Sequence, residues 1–211
     1  MVIVSIALGN QWQRYVIAYA NAEGTGKNDP KTEIATEYGE YWSDYYGYLA
    51  GLAFTMTFSI CGIFGGVLSD MFNRKLIIVV CSIGWSACTL LSGWIDNFWV
   101  FLVMRVLLGI FQAFMNPASY SIIADYFPPE KRTLANSIFN AAIYFGGAMA
   151  SLSQIMISYK GWRFTYILIA FIGMGCSVLG VFTIYNPTRG RWEAKKKQEA
   201  GEALEGSRKS C

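Results

Sequence analysis

Residues Arg105 to Arg132 read RVLLGIFQAFMNPASYSIIADYFPPEKR, and this stretch decides the architecture. From Val106 to Ala124 there are 19 residues without a charge, enough to cross the hydrocarbon core of a bilayer. Arg105 stands at the head of that run, followed by Gly109, Gln112 and Asn116 at spacings of 4, 3 and 4. With roughly 3.6 residues per turn, all four share one helix face. A polar stripe inside a membrane helix must meet a partner helix or water, because lipid satisfies none of its hydrogen bonds. An arginine in such a stripe needs a reason.

The rest of the chain repeats the pattern. It is 54% hydrophobic and 15% charged, against roughly 25% charge in soluble domains, and its mean hydropathy is +0.34. Uncharged runs cover Tyr45 to Ser69, Leu76 to Ile95, Val106 to Ala124, Thr133 to Tyr159 and Phe164 to Thr188. A weaker segment, Met1 to Ala22, is interrupted only by Arg14. Its lack of a basic leading region and its polar middle argue against a cleaved signal peptide. The expectation is an all-α membrane protein with six transmembrane helices, at about 2–20, 46–68, 76–95, 99–124, 133–158 and 162–185. Together they make a bundle over 1–187, followed by a charged tail or linker at 188–211. The loop from Asn21 to Asp44, with six acids against Lys27 and Lys31, reads as solvated and irregular.

Several functions drop out. There is no histidine, which removes histidine catalysis and most zinc sites. The five cysteines form no C-x-x-C pair, and four of them lie in apolar runs, where small packing residues are expected. Gly173-x-Gly175 has no strand before it, so it is not a dinucleotide loop. No nucleophile–base pair is visible, and an enzyme, a cofactor and a nucleic-acid partner are not expected. The lipid bilayer is the partner that composition demands.

Orientation follows from counting Lys and Arg. The connectors at 69–75 and 125–132 and the tail hold 11 of the 17 basic residues. The opposite side holds Lys27, Lys31, Lys160 and Arg163. Both termini are therefore expected in the cytoplasm. Arg14 and Arg105 are the remaining two, and both lie inside helices.

Polar faces mark candidate functional positions. Asn10, Gln13 and Arg14 share a face of the first helix, and the fifth carries Asn136, Asn140, Tyr144, Gly147, Ser151 and Gln154 near one face. Thr55, Ser59, Gly62 and Gly66 form a small-residue stripe on the second, of the kind that lets another helix approach closely. The connector after it reads Gly66-Val67-Leu68-Ser69-Asp70-Met71-Phe72-Asn73-Arg74-Lys75. Asp70 is placed there as a helix-start carboxylate, with Arg74 and Lys75 marking the cytoplasmic face.

This connector resembles the signature loop of the major facilitator superfamily, G-x-L-[AS]-D-R-x-G-R-[RK]. Arg105-x-x-x-Gly109-x-x-x-Ala113 resembles the superfamily's second signature, and Tyr126 to Arg132 its usual exit from that helix. Asn10 to Tyr15, NQWQRY, is similar to the N-x-x-D-R-[YF] of Spinster-like members, while Arg105 to Pro117 equally resembles organic-anion members. The resemblance implies two inverted three-helix repeats, forming half of a twelve-helix transporter. In that arrangement the helices of Arg14 and Arg105 are equivalent. Gly66, Asp70, Arg74 and Lys75 become a cytoplasmic gating loop that contacts the other half. Met71 and Asn73 depart from the usual arginine and glycine, which implies a weaker latch.

The departures sharpen the functional expectation. Gln112 and Gln13 stand where relatives place acids, and none of the 14 acids falls mid-membrane. Proton coupling usually needs such a carboxylate. Two arginines that stay charged point instead to an anionic small-molecule solute. Asn10, Gln13, Gln112 and Asn116 would orient it, and Asn140 and Tyr144 would line the cavity. The other reading of each arginine is snorkelling or bonding to carbonyls near a helix end. Alternating access also needs a second six-helix half, either a C-terminal half or the partner in a homodimer. The alternatives are a non-transporting structural subunit of a larger assembly, or a truncated inactive fragment.

Overall fold

The computed structural model describes residues 1–20, 34–39, 45, 51–185, 187–188 and 192. Within them the chain forms α1 (Val2–Ala20), α2 (Ile34–Tyr38), α3 (Ala53–Met71), α4 (Arg74–Trp94), α5 (Phe98–Tyr126), α6 (Pro129–Lys160) and α7 (Trp162–Thr183). Five of these, α3 to α7, are long and apolar enough to cross a membrane. The sixth long helix, α1, is diluted by Asn10, Gln11, Gln13 and Arg14, and the first three of these are buried. Its polar groups are spent inside the bundle rather than shown to lipid.

The packing has a hidden symmetry. α1 packs on α6 and α7, α5 packs on α3 and α4, and α4 packs on α7. Exchanging α1, α3 and α4 for α5, α6 and α7 turns the pair α1–α6 into α5–α3 and α7–α1 into α4–α5. It leaves α4–α7 in place. Two three-helix repeats thus make one bundle, and α1 and α5 occupy equivalent places. The helices least covered by it are the equivalent pair α3 and α6, with 17% and 28% of their spans buried, against 61% for α4.

Connections differ from the sequence expectation where side chains compete for the same job. The cap of α4 is Asn73, whose Oδ1 accepts from the amides of Lys75 (3.0 Å) and Leu76 (3.5 Å). Asp70 sits exposed in the last turn of α3, so it does not cap the following helix. Asn97 caps α5 by accepting from Trp99 N–H at 2.9 Å. The loop expected to be wholly irregular contributes α2, with Ile34 and Tyr38 buried; most of that loop, the tail beyond 192 and the start expected for the second span at 46–50 lie outside the described residues.

Close approach between α3 and α5 falls one residue away from the expected stripe. Gly66 and Gly62 have open space where a Cβ would stand. Gly65 instead faces Phe114 and Pro117 at 3.2 Å and the Ala113 carbonyl at 3.3 Å. Pro117 lies inside α5 and lacks the N–H that would use that carbonyl. A glycine brings α3 in beside it.

Candidate functional site: an arginine-lined cavity

The two arginines lie at matching depths. Arg14 is six residues before the end of α1 and Arg105 seven after the start of α5. At about 1.5 Å per residue, both are about 10 Å below the same end of the bundle. They line one cavity of ≈ 200 Å³ together with Tyr15, Ile17, Ala18, Phe54 and Thr55. The sequence expectation that they belong to one site therefore has a geometric counterpart.

Each guanidinium is held by aromatic rings. Phe54 and Phe58 are one turn apart on α3 and stack with centroids 5.8 Å apart. The Arg14 Cζ lies 4.7 Å from both centroids, a cation–π arrangement of about 0.5–2 kcal/mol per ring. Arg105 is 3% exposed, which rules out a side chain snorkelling at the lipid surface. Its Nη2 donates to the Tyr166 hydroxyl, and the Phe101 and Tyr166 rings lie 5.5 and 5.7 Å from its Cζ. Its Nε is buried without a hydrogen-bond partner among the described residues. Among those residues no carboxylate pairs with Arg14 or Arg105. Rings and a neutral hydroxyl orient both cations without neutralising them.

The other expected site residues divide between this cavity's surroundings and the packing. Gln112 donates to the Asn10 carbonyl at 3.1 Å, and Asn10 Nδ2 donates to Met115 Sδ at 3.3 Å, joining α1 to α5. The Gln112 Oε1 is buried and unmatched among the described residues. Asn116 is half-buried one turn on. Gln13 faces the opposite way, fully buried between α4 and α7. There it accepts from Thr89 Oγ1 (3.0 Å) and donates to the Ile169 carbonyl (3.3 Å). It is placed to hold helices together, not to touch a solute. On α6, Asn140 accepts from the Tyr120 hydroxyl at 2.5 Å, and Tyr144 is 80% exposed. Neither lines the arginine cavity.

At the other end of the bundle, the connector residues take unexpected roles. Arg74 is buried, donating to the Ser121 carbonyl at 3.2 Å and forming an ion pair with Asp125 near the end of α5. Lys75 is half-buried and Asp70 exposed. A larger cavity of ≈ 420 Å³ at this end, bounded by Val2 to Val4, Ile123, Phe139 and Ile184, is mostly apolar. It holds no buried charge and is not the candidate site.

Comparison with known proteins identifies the family. The Major Facilitator Superfamily matches residues 11–209. The chain belongs to that superfamily. It is 33% identical over 164 residues to the probable galactarate/D-glucarate transporter GarP of Escherichia coli (strain K12), covering 74% of this chain and 36% of the relative. To the protein spinster homolog 1 of Xenopus laevis it is 34% identical over 134 residues, 62% of this chain and 26% of that one. The solved structure of a bacterial homolog to the human lysosomal transporter Spinster, inward-facing and unoccupied, superposes with a TM-score of 0.74 at 26% identity. It covers 90% of this chain and 43% of its own. This superfamily chain thus spans about a third of the curated relatives' length and under half of the solved one.

The residues that sequence reasoning missed are the aromatic ones. Tyr166 lies 61 positions from Arg105, and no local spacing links them. Phe54 and Phe58 carry a faint signal, an i, i+4 aromatic pair in the second span, which reads as ordinary lipid-facing surface until Arg14 is placed above it.

Proposed function

We propose that this chain is the first six-helix unit of a secondary transporter that moves a small organic anion by alternating access. It would work against a second six-helix unit, from the same polypeptide or from another copy, with both ends of this unit in the cytoplasm. The observation that carries the reading is the cavity where Arg14 and Arg105 meet no carboxylate among the described residues. A desolvated arginine without a counter-charge is costly unless water or an anion compensates it. An anionic solute supplies that compensation, and Asn10, Gln112 and Asn116 line the next turns of α1 and α5. Gln13 is left out of the contact set because its two hydrogen bonds tie α1 to its neighbours. The sparse burial of α3 and α6 supports a second unit on their outer faces, with Asn140 and Tyr144 turned toward it. Galactarate and D-glucarate, in the name of one relative, are anions.

The test is uptake of labelled D-glucarate by proteoliposomes holding the full gene product. A hydrogen-bonded charged contact is worth about 1.5–3 kcal/mol, so Arg105→Ala and Arg14→Ala should each raise the half-saturating concentration about 10- to 100-fold. Uptake of a cation such as choline should not respond. Anion transport by Arg105→Ala protein at unchanged affinity sinks the proposal.

A further inference from the structure

The short helix α2 serves a purpose that the cavity alone does not explain. Five residues are far too few to hold a helix in water, so tertiary contacts must fix it. Glu37 accepts from Trp162 Nε1 at 2.9 Å and from Arg163 Nε at 3.1 Å. Arg163 continues to Asp96 at 2.6 Å and to the carbonyls of Gly93 and Ile95 at 3.4 and 3.5 Å. Tyr38 donates to the Ile95 carbonyl at 3.4 Å. Its ring packs against Phe98, Phe101 and Trp162 at 5.7, 6.0 and 6.3 Å. One segment thus ties the end of α4 to the starts of α5 and α7.

Two of those rings lead directly to Arg105. Phe101 touches Tyr38 and also lies 5.5 Å from the Arg105 guanidinium. Trp162 packs on Tyr166 at 5.6 Å, and Tyr166 carries the hydroxyl that accepts from Arg105. Both paths from α2 end on the same cation, and neither reaches Arg14, which rests on α3 instead. We infer that Ile34–Tyr38 is a clamp on Arg105, with Tyr38 and Tyr166 as positioning residues that hold the guanidinium parked beneath it. When α2 shifts, Phe101 and Trp162 lose their backing and Tyr166 loosens its hold. Arg105 then turns freely within the cavity. Glu37 and Arg163 are a quarter exposed, so the clamp's fastening is reachable from the bundle's end. What the released arginine binds rests on the anion reading above; the clamp itself does not.

Site-resolved labelling with phenylglyoxal tests this on the full chain in nanodiscs, with mass spectrometry reporting Arg105 and Arg14 separately. In the wild type Arg105, at 3% exposure, reacts more slowly than half-buried Arg14. Tyr166→Phe keeps the ring and removes the acceptor, and should raise the Arg105-to-Arg14 rate ratio about tenfold. Glu37→Gln and Tyr38→Ala, neither of which touches Arg105, should raise the same ratio by at least about threefold. A merely structural α2 would move both arginines together. An unchanged ratio in the two α2 variants, or a parallel rise at both arginines, overturns the clamp. Added D-glucarate should slow both reactions in the wild type. If it does not while the α2 variants still behave as described, the anion reading fails and the clamp stands.

Discussion

Replacing Gly173 with alanine puts a methyl group where Gln13 already stands. The new carbon would overlap Gln13 Nε2 and lie 2.7 Å from Ser86 Oγ, inside any tolerable contact. Gln13 is fully buried and cannot retreat into solvent. It must leave its two partners, the Ile169 carbonyl and the Thr89 hydroxyl. Overpacking costs about 1–3 kcal/mol and two lost neutral hydrogen bonds about 1 kcal/mol each, so Gly173→Ala should destabilise by about 3–5 kcal/mol. For a chain of this size that is on the order of 10 °C in unfolding temperature, read by tryptophan fluorescence in detergent. Gln13→Ala vacates the space, and Thr89 keeps its bond to the Trp85 carbonyl. The double variant should therefore be no less stable than Gln13→Ala alone, a large coupling between touching residues. A Gly173→Ala protein within about 0.5 kcal/mol of wild type, or a double variant with additive losses, refutes the packing role given to Gln13.

Other consequences follow from single contacts. Gly65→Val, against Phe114 and Pro117 at 3.2 Å, should force α3 off α5 and cost about 1–3 kcal/mol; Gly66→Val, with open space around it, should cost well under half as much in the same melt. Arg74→Met removes the ion-pair partner of the buried Asp125 carboxylate and should destabilise by about 3–5 kcal/mol, whereas Arg74→Met with Asp125→Leu should recover most of that; strictly additive losses contradict the ion pair. Burial pushes the Tyr38 hydroxyl up to about 12. The folded state then holds its proton more tightly than the unfolded chain. The stabilisation is full below pH about 10 and is lost as pH rises through about 12. The wild-type minus Tyr38→Phe absorbance titration at alkaline pH should show one phenolate forming near that upper value, and an ordinary tyrosine titration would contradict the buried clamp.

The spans were readable because membrane burial writes itself into composition: an uncharged, apolar run of about 20 residues is rare outside a bilayer. The likeness of α1 and α5 came with the family resemblance, which makes the helices of Arg14 and Arg105 equivalent. What stayed hidden depends on tertiary geometry. Whether Gly65 or Gly66 faces a neighbour is a matter of about 100° of rotation, and it is Gly65, outside the stripe Thr55, Ser59, Gly62, Gly66, that meets α5. Asn73 outcompeted Asp70 for the cap because the connector is short and α3 runs on through Asp70. Gln13 sits beside Arg14 in sequence, yet successive helical residues point in different directions, so one packs and one lines a cavity. Glu37 looked like one more loop acid; only the fold brings it to Arg163 and Trp162, far along the chain.

Equilibrium binding of labelled D-glucarate to the purified full gene product tests the central claim most directly, with Arg14→Ala, Arg105→Ala and the double variant beside it. The two-arginine cavity predicts that each single variant weakens binding about 10- to 100-fold. It also predicts that the double variant abolishes measurable binding, and that Asn140→Ala, outside the cavity, changes it little. Anion binding that survives the loss of both arginines at wild-type affinity would contradict it.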